Sequence, residues 1–354
     1  MNTRHLILAG AAILMATACS NDREETGAAE RGELRLSLTT TFGVEAETRS
    51  VTDDASQNSG NFANGEQVAV YLLDNNDPCD GTTGTGWSTY TKPLAYTSDG
   101  AGNLTCNPVQ VWPKQLHSLN VYGVYPYSAA NAGAMTKSGG AFPTYSFTVK
   151  ADQSAPADYK ASDLMLAVPS SGPNNNANPL TQTAEMTSGT VGLTFSHKLS
   201  KVIVKLAKSP SSTGITDDAL ASAKVTIMNT IPTATFSVKD QTAAVDNTVA
   251  ASDIIARETA ADSSDPSTTL YTGKDVAAII VPQTVAASTQ FIKVEIGSDT
   301  FLYTLDTAKT FASGSVYTYT ITVHKSTITV TSTITAWTDE DSDHIDGRGK
   351  LQTP

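Results

Sequence analysis

At 354 residues the chain is long enough for two ordinary domains, each with a core of its own. Its formal net charge of −12, from 23 basic and 35 acidic residues, lacks the basic footprint that nucleic acid demands and excludes that class of partner. Only 16% of residues are charged, and the polar remainder is rich in Thr, Ser, Asn and Gly, which suits strands and turns and reads as a secreted, all-β protein.

The chain opens with Arg4, an apolar run from Leu6 to Met15, and small residues Ala16-Thr17-Ala18 directly before Cys19. Charge, apolar segment and small-residue site in that order form a secretory signal peptide over residues 1–18. The apolar run is well short of the roughly 20 residues a membrane-crossing helix needs. A cysteine at the first mature position accepts lipid, so Cys19 predicts a protein anchored to a membrane and not spanning it. Ser20-Asn21-Asp22-Arg23-Glu24-Glu25 follows as a polar, acidic tether. It resembles the surface-export signal of Bacteroidota lipoproteins and implies a place on the outer face of the cell outer membrane.

From Glu33 to Phe42 the residues alternate, with Leu34, Leu36 and Leu38 on one face and Arg35, Ser37 and Thr39 on the other. Period two predicts a half-buried strand. Gly43 to Gly65 is polar and reads as an exposed loop carrying Thr48-Arg49-Ser50. Alternation resumes at Gln67 with Val68, Val70 and Leu72, followed by turn material through Gly86. Short apolar segments come at Val109–Trp112, Leu119–Tyr127, Tyr145–Val149 and Leu164–Val168. Pro169 to Gly189 is poor in apolar residues and suits a linker or long loop, which puts the domain boundary at residues 188 and 189.

The second half opens with Leu193, Phe195, His197 and Leu199 on one face, then Val202, Val204 and Leu206 on the opposite parity. That shift predicts a bulge or bend near Ser200-Lys201. Further strands are expected at Lys224–Met228, Thr235–Val238, Ala277–Val281, Phe291–Ile296, Phe301–Leu305, Tyr317–Val323 and Ile328–Ile334. One short helix is expected around Asp217–Ala223. Many short alternating strands in each half predict two β-sandwiches.

Catalytic patterns are missing. The five histidines are scattered, and no metalloprotease, nucleophile-elbow or phosphate-binding motif occurs. His197 shares a face with Phe195 and Leu199 and reads as a core histidine with a hydrogen-bond partner. Asp339, Glu340, Asp341 and Asp343 lack the spacing of a calcium loop and read as a solvated tail. No cofactor, metal or enzymatic activity is expected. With Cys19 assigned to lipid, Cys79 and Cys106 remain; an oxidising envelope permits a disulfide between them, and sequence does not decide it.

Several segments in order resemble the fimbrillin family of Bacteroidales, the subunits of type V pili. They are Asp163-Leu164-Met165-Leu166-Ala167, Phe195-Ser196-His197-Lys198-Leu199-Ser200-Lys201-Val202, Ile280-Val281-Pro282-Gln283-Thr284, Phe311-Ala312-Ser313-Gly314-Ser315-Val316-Tyr317 and Ile334-Thr335-Ala336-Trp337. The resemblance implies two tandem transthyretin-like β-sandwich domains, over residues 50–188 and 189–354, behind a lipidated propeptide of residues 19–49. It also implies maturation by a trypsin-like surface protease that cuts between Arg49 and Ser50. Leu34, Leu36 and Leu38 would then be temporary occupants of a groove. The alternating segment with Ile328, Val330 and Ile334 would be the strand donated to a neighbouring fimbrial subunit by β-strand addition.

A competing reading is a tip adhesin or unprocessed surface lipoprotein that binds glycan or host protein. Trp87, Trp112, Tyr122, Tyr125 and Tyr127 would supply stacking surfaces there, although their alternation places them in a core.

Overall fold

The structure, a computed structural model, describes residues 36–42, 62–74, 93–110, 118–130, 144–171, 180–181, 189–208, 214–259, 274–324, 328–336, 344–345 and 351–352. It is all-β. In chain order the strands are β1 (Leu36–Phe42), β2 (Gln67–Asp74), β3 (Leu94–Ser98), β4 (Asn103–Thr105), β5 (Ser118–Tyr125), β6 (Tyr145–Thr148), β7 (Met165–Ser171), β8 (Leu180–Thr181) and β9 (Gly189–His197). Then follow β10 (Ser200–Lys208), β11 (Lys224–Thr230), β12 (Thr233–Ser237), β13 (Thr242–Val245), β14 (Ser252–Ile255), β15 (Arg257–Thr259), β16 (Lys274–Ile280) and β17 (Gln283–Val285). The last are β18 (Gln290–Ile296), β19 (Asp299–Thr304), β20 (Lys309–Phe311), β21 (Ser315–Val323), β22 (Ile328–Ala336), β23 (His344–Ile345) and β24 (Leu351–Gln352).

The first sheet runs β2-β3-β4-β1-β9-β7-β5-β8, and β2 also pairs with β5. Seven strands therefore close into a ring, which removes free sheet edges. Inward residues alternate as the period predicts. Leu36 and Leu38 of β1, Val68, Val70 and Leu72 of β2, and Val191, Leu193 and Phe195 of β9 all fall in one buried cluster. Phe195 sits edge-on to Phe62, with ring centroids 4.9 Å apart. Gly123 makes room for it: a Cβ there would lie 2.7 Å from Phe195 Cζ and 3.0 Å from Ala167 Cβ.

The outer face of the ring is of two kinds. On β2, β5 and β7, outward residues such as Tyr71, Tyr122, Val124 and Leu166 join a second core shared with the C-terminal half. On β1, β4 and β9 the outward positions are polar, and Ser37, Asn103, Thr105 and Thr190 are exposed.

A six-stranded sheet (β15-β16-β10-β21-β22-β23) and a five-stranded sheet (β14-β11-β18-β19-β24) supply most of the second core. Gln153, fully buried, acts as a one-residue strand beside β16. Its Oε1 accepts the Ile279 N–H at 2.8 Å and its Nε2 donates to the Ile279 carbonyl at 2.8 Å. Among the described residues two short α-helices lie outside the sheets, α1 (Pro156–Ala161) and α2 (Asp217–Ala221), besides a 3-10 turn at Tyr127–Ala130. Pro156 pre-sets the first turn of α1, and the Thr216 hydroxyl caps α2 by accepting the Ala219 N–H at 3.1 Å.

Four expectations change. The predicted bulge at Ser200-Lys201 is a turn: β9 ends at His197 in the ring, β10 starts at Ser200 in the six-stranded sheet, and each strand keeps its own parity. A second helix, α1, joins the one expected. Val109 and Gln110 lie outside any strand, and Val109 is 59% exposed, because the chain bows away from β1 there. Tyr122 and Tyr125 are buried as expected, whereas Tyr127, past the end of β5, is exposed.

Candidate functional site

Strand β1 is held unequally on its two sides. Against β9 it runs parallel through an unbroken register from Leu36 opposite Gly189 to Phe42 opposite Phe195. Against β4 it runs antiparallel for two pairs, Leu38 with Leu104 and Thr39 with Asn103. Flanking bonds extend that seam: the Leu36 N–H donates to the Gln110 carbonyl at 3.0 Å and the Thr40 N–H to the Gly102 carbonyl at 2.8 Å. Between these anchors the segment Thr105–Val109 bows outward. A cavity of about 490 Å³ opens there, lined by Leu36, Ser37, Tyr96, Leu104, Cys106, Val109 and Gln110 among others.

Among the described pairings, β1 alone joins β4 to β9. Its removal would open the ring at one place, freeing one edge of β4 and one of β9 and uncovering the inner residues Tyr96, Leu104, Val191 and Leu193. The opening is a slot one strand wide, with backbone groups on both walls and apolar pockets in its floor. Leu36 and Leu38, 5% and 1% exposed, fill two of those pockets. Burying each is worth about 1.5–3 kcal/mol. Among the described residues the cavity is lined by apolar and uncharged polar side chains.

The far wall escaped the sequence reading. The hairpin β3–β4 turns at Asp99-Gly100-Ala101-Gly102, where Gly100 and Gly102 take φ of +78° and +95°. Asp99 Oδ1 accepts the N–H groups of Ala101 and Asn103 at 2.7 and 3.0 Å, and its Oδ2 accepts the Asn103 side-chain amide at 2.6 Å. The Asn103 side chain, with those backbone donors, holds the Asp99 carboxyl below its usual range. An Asp-Gly turn between Leu94-Ala95-Tyr96 and Leu104 is a hairpin signal that could have exposed both strands.

Of the predicted site residues, Leu36 and Leu38 are on the slot floor. Cys19, Leu34, Arg49, Ser50 and Cys79 lie outside the described residues. Cys106 stands half-buried at the cavity lip with a free thiol, and burial pushes its pKa up. Ile328 and Val330 are buried and Ile334 half-buried, on β22, which pairs antiparallel with β21 from Val323 opposite Ile328 to Ser315 opposite Ala336. The slot and β22 belong to different sheets.

At the far end of β9 the sequence motifs converge on one junction. His197, 5% exposed, places Nδ1 2.9 Å from Oδ1 of the fully buried Asp163. The Lys198 N–H donates to the Leu164 carbonyl at 2.9 Å. The loop before β21 docks on the same turn: Ser313 Oγ donates to the Lys198 carbonyl, the Gly314 N–H to Leu199, and Ser200 Oγ to Ala312, at 2.9, 2.9 and 2.7 Å. Tyr317 Oη accepts the Ala312 N–H at 2.7 Å and donates to the Thr310 carbonyl at 3.0 Å, a tyrosine folded back on its own loop. Gln283 ties Ile231 in similar fashion, accepting its N–H at 2.9 Å and donating to its carbonyl at 3.1 Å. Among the described residues no cluster of His, Cys, Asp and Glu fit for a metal is found.

Comparison with known proteins agrees with this architecture. A relative from Bacteroides uniformis named "Putative fimbrium subunit Fim1C" is 27% identical over 346 residues, 96% of each chain. The crystal structure of a "putative cell adhesion protein" from Bacteroides ovatus superposes with a TM-score of 0.60 at 17% identity, covering 88% of this chain and 100% of that one. Another so described, from Bacteroides uniformis, gives 0.56 at 22% identity, covering 87% and 98%. These two share the fold. A family profile described as fimbrillin-like matches residues 48–337, and the chain belongs to the fimbrillin-like family.

Proposed function

We propose that this protein is a structural subunit of a surface fimbria, built of two tandem transthyretin-like β-sandwich domains and supporting adhesion. It is exported as a lipoprotein anchored to the outer membrane through Cys19, cut after Arg49 by a trypsin-like surface protease, and polymerised by strand exchange with other fimbrial subunits. The observation that carries this reading is β1 itself, a strand that closes the ring while sitting before the long loop that holds Arg49. The family match begins at residue 48, which sets β1 apart from the matched region and includes β22. The two domains are residues 50–188 and 189–354, behind a propeptide of residues 19–49, and the turn at Lys198–Leu199 carries the chain from the ring into the six-stranded sheet.

In the matured subunit the slot is filled by a neighbour's strand bearing Ile328, Val330 and Ile334. Backbone groups on β4 and β9 supply affinity, and the pockets of Leu36 and Leu38 supply selectivity. The test is intact-mass and N-terminal analysis of protein from the native surface, alongside the Arg49→Ala variant. The expected outcome is a lipid-free chain starting at Ser50, with Arg49→Ala retained as acylated precursor and absent from fibres. Normal fibres from Arg49→Ala would overturn the assigned cut.

A further inference from the structure

We propose that the parallel ladder of β10 and β21 is a load-bearing clamp, placed so that tension along a fibre shears it. This rests on the proposed strand exchange and adds a mechanical function to it.

Under that exchange, tension reaches the subunit through the slot and leaves through the strand it donates. The slot wall β9 runs into β10 across only Lys198 and Leu199, so β10 is drawn from its N-terminal end. The donated strand follows β21 after residues 324–327, so β21 is drawn from its C-terminal end, at Val323. β10 and β21 pair parallel, residue for residue, from Ser200 opposite Ser315 to Lys208 opposite Val323. The two points of pull therefore lie at opposite ends of a ladder about 26 Å long. A body under tension turns until its points of pull line up with the force, and here that line runs along the strands.

Parallel pairing makes this geometry. Were the two strands antiparallel, the same points would sit side by side, and the bonds would open one after another from that end. Drawn from opposite ends, the evenly spaced bonds of a parallel ladder share the load and yield together. β10 is also held on its other side, where β16 pairs with it from Ser200 opposite Ile280 to Leu206 opposite Lys274. Val202, Val204 and Leu206 are fully buried in the second core, and a sliding strand would have to drag them through close-packed neighbours.

Side-chain bonds gather at the end where β10 is drawn. Ser313 Oγ donates to the Lys198 carbonyl at 2.9 Å and Ser200 Oγ to the Ala312 carbonyl at 2.7 Å. The Gly314 N–H donates to the Leu199 carbonyl at 2.9 Å, and Tyr317 holds the same loop through Ala312 and Thr310. A ladder under shear carries its greatest load at its ends. The segments around Ser200 and Ser313 thus reinforce the bonds that are stressed first.

The test stretches single full-length chains between two cysteines, with Cys19, Cys79 and Cys106 replaced by serine, and reads the rupture force. Lys198→Cys with His324→Cys draws the ladder from opposite ends. Lys208→Cys with His324→Cys draws it from one end, because Lys208 lies opposite Val323. The expected result is a several-fold higher rupture force for the first pair. Ser200→Ala with Ser313→Ala should lower that force and leave the second unchanged. Equal forces in the two geometries would overturn the clamp, and an equal drop in both would overturn the reinforcement by Ser200 and Ser313. Failure of strand exchange shows separately, as native-surface protein that keeps β1 and Cys19, and would remove the load path while leaving the ratio of forces as it is.

Discussion

The two ends of β9 are built on different principles. At the His197 end, side chains bond to backbone in several places, and one loop is clamped by Tyr317, Ser313 and Ser200 at once. Along its first seven residues, Gly189 to Phe195, β9 meets β1 through backbone pairing and packed leucines, and the opposite side of β1 holds by two register pairs, two flanking backbone bonds and a cavity between them. Side-chain clamps fix one geometry because each leaves a buried group unpaired if it breaks. Backbone pairing accepts any strand of matching alternation. The junction is fitted to stay, and the seam is the place where the proposed exchange would occur.

The sharpest way to break this contrast is Leu38→Ala. Truncating a 1%-exposed leucine should cost the full-length precursor about 2–5 kcal/mol in denaturant unfolding. The same change should cost nothing in a subunit that has lost β1. An equal penalty before and after trimming would mean that β1 is a permanent strand.

Tyr317→Phe probes the other end. It leaves the Ala312 N–H and the Thr310 carbonyl without their partner and should cost about 2 kcal/mol in both forms. Gly123→Ala forces the Phe195 ring to move and should cost about 1–3 kcal/mol, again in both forms, by the same measurement. A difference between the forms for either variant would show that the ring relaxes when β1 leaves.

The smallest effect concerns acid. Asp99 holds the β3–β4 turn with its carboxylate, and the Asn103 side chain with the backbone donors keeps its folded pKa below the usual carboxylate range. A depressed carboxylate stabilises the fold above its unfolded pKa and loses that contribution as pH falls through the folded value. The turn should therefore loosen only below about pH 4, read as exchange broadening of the Gly100 and Gly102 amides, and Asp99→Asn should abolish the pH dependence.

How much of this was legible follows the same division. Period-two alternation marked β1, β2 and β22, because apolar side chains on one face of a strand leave a direct trace. The motifs around His197, Gln283 and Tyr317 were visible as words, but their reason was not, since each side chain bonds to backbone distant in sequence. The strands β3 and β4 are too short to leave a periodic trace, and only the Asp99-Gly100 turn between them marks the hairpin. The parity change at Ser200 is ambiguous in sequence, because a shift of one residue looks the same whether a strand bulges or the chain steps into another sheet. Ring closure through β2 and β5 had no local signature at all.

The connection of β1 to β2 within one chain has a kinetic meaning. A tethered segment presents itself to its own slot at an effective concentration on the order of millimolar, which a separate molecule seldom matches. While the backbone between Phe42 and Phe62 is whole, the resident strand wins by proximity alone, however well a rival fits. Breaking that one peptide stretch leaves every contact in the slot as it was and turns the contest into one between two free competitors. Under the proposed strand exchange, the timing of assembly is then set by a covalent event that cannot run backwards, and the slot itself needs no sensor.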